Sequence, residues 1–141
     1  MKALANLLLL ACLALYIVFM AVRQPEYFQG TEYEIHVTNG FRTNSSTPLV
    51  IWCSSEEDDL GGRALQEGEE FSWELRIDFW GTVQFSCTVK WDRRRKRFEA
   101  FRVHRDGHRC FDLKKCFWLV TEDGIYFSSN EVSWKKDFSW S

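Results

Sequence analysis

The feature that most constrains this chain is a period of two in its apolar residues. Val83, Phe85, Cys87, Val89 and Trp91 alternate with Gln84, Ser86, Thr88 and Lys90. Such alternation turns one face to a core and the other to water, the pattern of a half-buried antiparallel strand. Tyr33, Ile35 and Val37 repeat it, as do Leu49, Ile51 and Cys53, and then Phe71, Trp73, Leu75 and Ile77. Phe98–Val103, Phe117–Thr121 and Ile125–Ser128 complete seven expected strands, the last two apolar enough to be covered on both sides. Turn signals separate them: Asn39-Gly40, Asp59-Leu60-Gly61-Gly62, Glu67-Gly68, Asp106-Gly107 and Asp123-Gly124. Glycine supplies the positive φ of a tight turn, and Asp or Asn bonds its own backbone. Past Val22 no helical period persists beyond two turns. The expectation is an all-β fold, a small antiparallel β-sandwich of seven to eight strands, with no internal repeat or linker.

The first 22 residues stand apart from that pattern. Among Met1–Val22 only Lys2 and Asn6 are not apolar, and Arg23, Gln24 and Pro25 follow. A positive start and an apolar run read as a secretory signal peptide, although the run is also long enough for an uncleaved membrane anchor. In either case the domain from residue 23 to 141 faces the secretory lumen. All the aromatic rings except Tyr16 and Phe19 lie in that domain, so its core must be largely aromatic. Its charge is near balance, since 18 Lys and Arg stand against 20 Asp and Glu in the whole chain. That balance argues against a dedicated nucleic-acid binder.

With Cys12 assigned to the leader, Cys53, Cys87, Cys110 and Cys116 remain. An even count in a small secreted domain implies two disulfides with three possible connectivities. Cysteines on separate strands can bridge the two sheets, and a Cys110–Cys116 bridge would close only a small loop. The expectation is therefore Cys53–Cys116 with Cys87–Cys110. No zinc spacing is present, and no metal or cofactor is expected. Asn44-Ser45-Ser46 is an N-glycosylation acceptor in a polar, turn-rich stretch.

Several longer motifs add a resemblance. They are Leu49-Val50-Ile51-Trp52-Cys53 before the acidic run ending Asp58-Asp59-Leu60-Gly61, and Gly68-Glu69-Glu70-Phe71-Ser72-Trp73. Then come Phe79-Trp80-Gly81-Thr82-Val83-Gln84-Phe85-Ser86-Cys87 and the pair Cys110…Cys116-Phe117-Trp118 before Glu122-Asp123-Gly124-Ile125. In order and spacing, from about Tyr33 to Trp134, the chain resembles the plant self-incompatibility S-protein homologues typified by the stigma S-determinants of poppy. The resemblance implies a secreted ligand in cell–cell recognition, whose partner is the extracellular part of a plant membrane protein or another secreted protein. Trp80 stands where the family more often has a second Phe. The run Arg93-Arg94-Arg95-Lys96-Arg97 is unusually basic for it.

That run is the main candidate for recognition. Five consecutive cations at the tip of an expected hairpin gain nothing for folding, whereas an electropositive tip would steer an acidic partner, pectin or anionic lipid. A solvated turn that blunts edge pairing, or a dibasic processing site, are the competing readings. Arg105, His108 and Arg109 form a second cationic loop and join Arg93–Arg97 in the expected partner-binding set. Glu56–Asp59 lacks the alternate spacing of a calcium loop and reads as a solvated turn. His36, His104 and His108 invite an acid–base hydrolase reading, but none sits in a catalytic motif and no activated nucleophile accompanies them. A non-catalytic monomer is expected. By strand parity Trp73 and Trp91 face the core and Trp52 and Trp80 the surface, while the tail Trp134–Ser141 covers a sheet edge. A cationic carbohydrate- or membrane-binding defence protein is the alternative function.

Overall fold

The computed structural model describes residues 1–23 and 30–141. Helix α1 (Lys2–Arg23) is long and apolar enough over Lys2–Phe19 to cross a membrane, and its side chains up to Phe19 are exposed. The strands are β1 (Glu32–Asn39), β2 (Leu49–Ser54), β3 (Asp59–Leu65), β4 (Glu70–Arg76), β5 (Gln84–Trp91) and β6 (Arg94–Arg102). A short helix α2 (Val103–Arg109) leads to β7 (Lys115–Val120), β8 (Ile125–Ser128) and β9 (Lys135–Phe138). They form two sheets, one of five strands in the order β4-β1-β7-β8-β9 and one of four in the order β3-β2-β5-β6. The chain is a β-sandwich, mainly antiparallel; β1 and β7 pair in parallel because the excursion through β2–β6 and α2 separates them.

Alternation determines the layers. In β1 and β4 every second residue is buried, so Tyr33, Ile35 and Val37 meet Leu75, Trp73 and Phe71 on one inner face. Leu49, Ile51, Cys53, Phe85, Cys87, Val89, Phe98 and Ala100 supply the other. Trp118 is fully buried and spans the layers, its ring against Phe98 and Phe127 and its Nε1–H donating to Ala100 O at 2.8 Å. Buried Asn39 is a second polar tie: it donates from Nδ2 to Leu65 O and accepts the Phe41 amide on Oδ1.

Three expectations need correction. The disulfides are Cys53–Cys87 and Cys110–Cys116, not Cys53–Cys116 and Cys87–Cys110. Cys53 and Cys87 are directly opposite in the β2–β5 register, with Cα atoms 4.0 Å apart, so they bond within one sheet instead of across the sandwich. Cys110 ends α2 and Cys116 starts the inner face of β7, at 5.4 Å, so the small loop is the one that closes. Second, nine strands and a helix replace seven or eight strands. β3 was hidden by its Gly61-Gly62 turn signal, and Asp106-Gly107 belongs to α2, where Asp106 Oδ2 accepts the backbone N–H of the N-cap residue Arg102. Third, Arg93–Arg97 is not a loop. Only Asp92 and Arg93 turn the hairpin, Asp92 at φ 54°, and Trp91 already pairs with Arg94. The remaining four cations are strand residues. The tail pairs as edge strand β9, and Trp140 donates to Thr121 O at 2.8 Å.

Candidate functional site

Because Arg94–Arg97 lie on an edge strand, their side chains alternate between the two faces of the four-stranded sheet. Arg94 and Lys96 take the inner parity and are half-buried. Arg94 donates to Glu122 O at 2.8 Å and lies 4.7 Å over the Trp140 ring, so it fastens the tail. Arg95 and Arg97 take the outer parity and are exposed. Their cross-strand neighbours are Lys90 and Thr88 on β5, and beside those on β2 stand Val50 and Trp52. Arg95 reaches back over the half-buried Trp52 ring at 5.2 Å.

The result is an exposed basic face: Lys90, Arg95 and Arg97, with Arg93 on the adjoining turn, around buried Thr88 and the half-buried ring of Trp52. Among the described residues none of these four cations has an ion pair. Lys90 stands directly opposite Arg95. Like charges facing each other across a ladder disfavour the sheet. Apart from the contact of Arg95 with the Trp52 ring, folding gains nothing from them there. What the arrangement does offer is an electropositive surface on a rigid scaffold, suited to steering and holding an anionic partner. Lys90 was not in the expected set; its place opposite Arg95 depends on the hairpin register, which no run of charges in the sequence reveals.

The second expected cationic group has a different environment. Asp106 is fully buried, and its carboxylate accepts from Arg105 Nε at 2.9 Å and Nη2 at 2.8 Å, and from Arg109 Nε at 2.6 Å. Arg105 also donates to Glu99 O at 2.6 Å, and Arg109 pairs with Asp137 on β9 at 2.9 Å. The Arg109 guanidinium lies 3.4 Å over Phe127. Burial opposes the charge on Arg105, but the hydrogen bond and charge of Asp106, helped by Glu99 and Asp137, more than offset it and raise its pKa. These two arginines hold α2 and β9 onto the core. His108 is exposed on α2, as is His104 one turn earlier.

His36 lies on the outer face of the five-stranded sheet, stacked on Phe117 at 5.0 Å, with Nδ1 3.0 Å from Glu70 Oε1. No nucleophile accompanies it in these contacts. Among the described residues no group of three or more His, Cys, Asp and Glu is placed to hold a metal ion. Trp73 is buried and Trp91 half-buried, its ring stacked on Phe41; Trp80 is exposed. Asn44 is exposed at φ 54° in the long β1–β2 connection.

With this geometry in place, the chain matches the family model described as plant self-incompatibility protein S1 over residues 34–140. It belongs to that family. The chain is 33% identical to S-protein homolog 29 of Arabidopsis thaliana over 96 residues, which cover 68% of this chain and 67% of the relative. It is 30% identical to self-incompatibility protein S1 of Papaver rhoeas over 105 residues, covering 72% and 73%. A solved SPH protein superposes with a TM-score of 0.53 at 20% identity, covering 79% of this chain and 96% of that one. It is described as one of a widespread family of small, highly stable, secreted proteins from plants. The expected fold class and family are both borne out.

Proposed function

We propose that this family member is a secreted, non-catalytic protein ligand in plant cell–cell recognition, with α1 as its export signal and Asn44 as a glycan site. Its partner is the extracellular part of a membrane protein or another secreted protein. One observation carries the reading: Lys90, Arg95 and Arg97 lie side by side and exposed, with no ion pair among the described residues, and Lys90 and Arg95 face each other as like charges. Arg105 and Arg109 drop out of the contact set because Asp106 occupies them. The test is saturable binding of the labelled protein to plant protoplasts, which lack a wall. Binding should be abolished by protease treatment of the cells and weakened by salt. Replacing Arg93, Arg95 and Arg97 by Ser should weaken it at least tenfold without lowering Tm. Unchanged binding by that variant would discard the basic face.

The half-buried Trp52 ring beside Arg95 and Arg97 supports a second reading, an acidic cell-wall polysaccharide as ligand. A ring gives a sugar its stacking platform and arginines bind its carboxylates. This reading predicts capture on pectin that protease treatment of the target leaves intact.

A further inference from the structure

The strand registers place every loop at one of two ends of the sandwich. Glu32 pairs with Arg76, Gln84 with Arg102, Glu34 with Lys115, and Phe127 with Lys135. The β4–β5 loop, α2, the segment before β7 and the β8–β9 loop therefore share one end. Among the described residues, five large apolar side chains of the domain are exposed: Phe79 (65%), Trp80 (79%), Leu113 (56%), Val132 (80%) and Trp134 (37%). All five belong to these loops. None lies at the opposite end, which carries Asn44 and the Asp92-Arg93 turn.

The loops that carry them are braced. Asp78 accepts the Thr82 amide at 2.8 Å and the Thr82 hydroxyl at 2.7 Å, which fixes the turn bearing Phe79 and Trp80. The bond from the Thr82 hydroxyl leads in lowering the Asp78 pKa, and with the backbone amides it outweighs the opposing effect of burial. Asn130 Oδ1 accepts the amides of Val132 and Ser133, and Ser128 Oγ accepts those of Asn130 and Glu131. Exposed rings on fixed turns are ordered before any contact is made, so little entropy is lost when they are buried.

Two further observations identify the occupant. Leu113 and Trp134 are each followed at once by an exposed or half-exposed lysine pair, Lys114-Lys115 and Lys135-Lys136, and among the described residues Lys114 and Lys135 have no ion pair. An apolar tip with a lysine one step behind suits a bilayer interface, where rings enter the headgroup region and ammonium groups meet phosphates. The chain also enters the domain here, with eight residues between Arg23 and Glu32. Eight residues extend to less than about 30 Å, so whenever α1 is held in a membrane this end is kept close to it. The acidic β2–β3 turn, Glu56–Asp58, is at the same end on the other sheet and tilts the contact toward the five-stranded sheet.

We propose that this end docks on a phospholipid bilayer, inserting Phe79, Trp80, Leu113, Val132 and Trp134, and leaves the basic face directed away from the membrane. The site is separate from the one assigned to the protein partner. The experiment uses the protein as exported, sedimented with vesicles of phosphatidylcholine alone or mixed with phosphatidylserine. Wild type should co-sediment with both. Phe79→Ser, Trp80→Ser and Trp134→Ser combined should reduce the bound fraction at least tenfold at unchanged Tm. Lys114→Gln with Lys135→Gln should remove any preference for phosphatidylserine while binding to phosphatidylcholine persists. The Arg93, Arg95, Arg97 variant should bind vesicles as wild type does, even if its protoplast binding fails. Absence of wild-type co-sedimentation, equal binding by the triple aromatic variant, or loss in the arginine variant would each overturn the proposal. So would loss of protoplast binding by the aromatic variant when wild type ignores vesicles, since the end would then be a protein contact.

Discussion

Two groups of arginines, a few residues apart in the chain, have opposite surroundings. Arg95 and Arg97 are exposed on the outer face of the four-stranded sheet, facing a lysine and a threonine. Arg105 and Arg109 are half-buried and converge on the fully buried Asp106. The same side chain is a free charge in one place and a structural clamp in the other. What separates them is not the density of positive charge, which is higher in the first group. It is whether a buried carboxylate is within reach. Charge used by the fold is compensated at close range, and charge left over is available to a partner.

The largest test of this contrast is Asp106→Ala. It removes the acceptor of four hydrogen bonds and the buried carboxylate on which both guanidinium groups converge, leaving Arg109 only Asp137 and Arg105 only the weaker influence of Glu99 and Asp137. Removing one side of a buried ion pair costs about 3–5 kcal/mol, so the variant should unfold at markedly lower urea. A loss below about 1 kcal/mol by denaturant titration would mean that Arg105 and Arg109 are as free as Arg95 and Arg97.

Next in size are the two cross-links, which fasten the same two regions. Cys53–Cys87 spans 34 positions and holds the sheet bearing the basic face; Cys110–Cys116 spans six and holds the end of α2. By loop-closure entropy their removal should cost about 4 and about 2 kcal/mol respectively. Serine pairs compared by thermal unfolding would reverse this order only if α2 depended on its bridge more than on Asp106.

Most of the fold could be read from alternation, because a buried inner face forces period two on any strand that covers it. The strands that escaped notice are those alternation does not govern. β3 has a mostly exposed burial pattern with two glycines, and β9 is a four-residue edge. α2 owes its position to Asp106, a polar residue whose partners are fixed only once the core has closed. The disulfide pairing was illegible for a related reason. Cys53 and Cys87 meet because of the β2–β5 register, and register is set by packing rather than by cysteine spacing. The basic run was visible at once. Its division into Arg94, which bonds Glu122 O and holds Trp140 from the inner face, and Arg95 and Arg97, exposed on the outer face, needed a two-residue turn that the charge run itself conceals.

Asp78 sharpens the contrast from the surface. Like Asp106 it gathers donors, but in an exposed loop, so its grip should be weak. Its folded pKa lies below the ordinary carboxylate value, chiefly through the Thr82 hydroxyl. A depressed pKa contributes stability above the unfolded value, and this is lost as pH falls through the folded one. Hydrogen exchange at the Thr82 amide should therefore quicken, relative to the core, only below about pH 4. Asp78→Ala should produce the same loosening at neutral pH for a global cost near 0.5 kcal/mol. An effect as large as that of Asp106→Ala would show that burial is not what makes a carboxylate a structural anchor.

The smallest expected effect has the opposite sign. Lys90 faces Arg95 across the β5–β6 ladder and has no ion pair among the described residues. Arg95 at least gains the Trp52 ring, so Lys90 is the cleaner probe of repulsion. Lys90→Ser keeps an exposed polar strand residue and removes one like charge. At low ionic strength it should stabilise the fold by a few tenths of a kcal/mol, and the gain should vanish in salt as the repulsion is screened. The same substitution should weaken protoplast binding. Stabilisation together with lost binding is the signature of a residue kept for a partner at the expense of the fold. Destabilisation by more than about 1 kcal/mol would instead place Lys90 with Arg105 and Arg109, and the division between free and clamped cations would no longer hold.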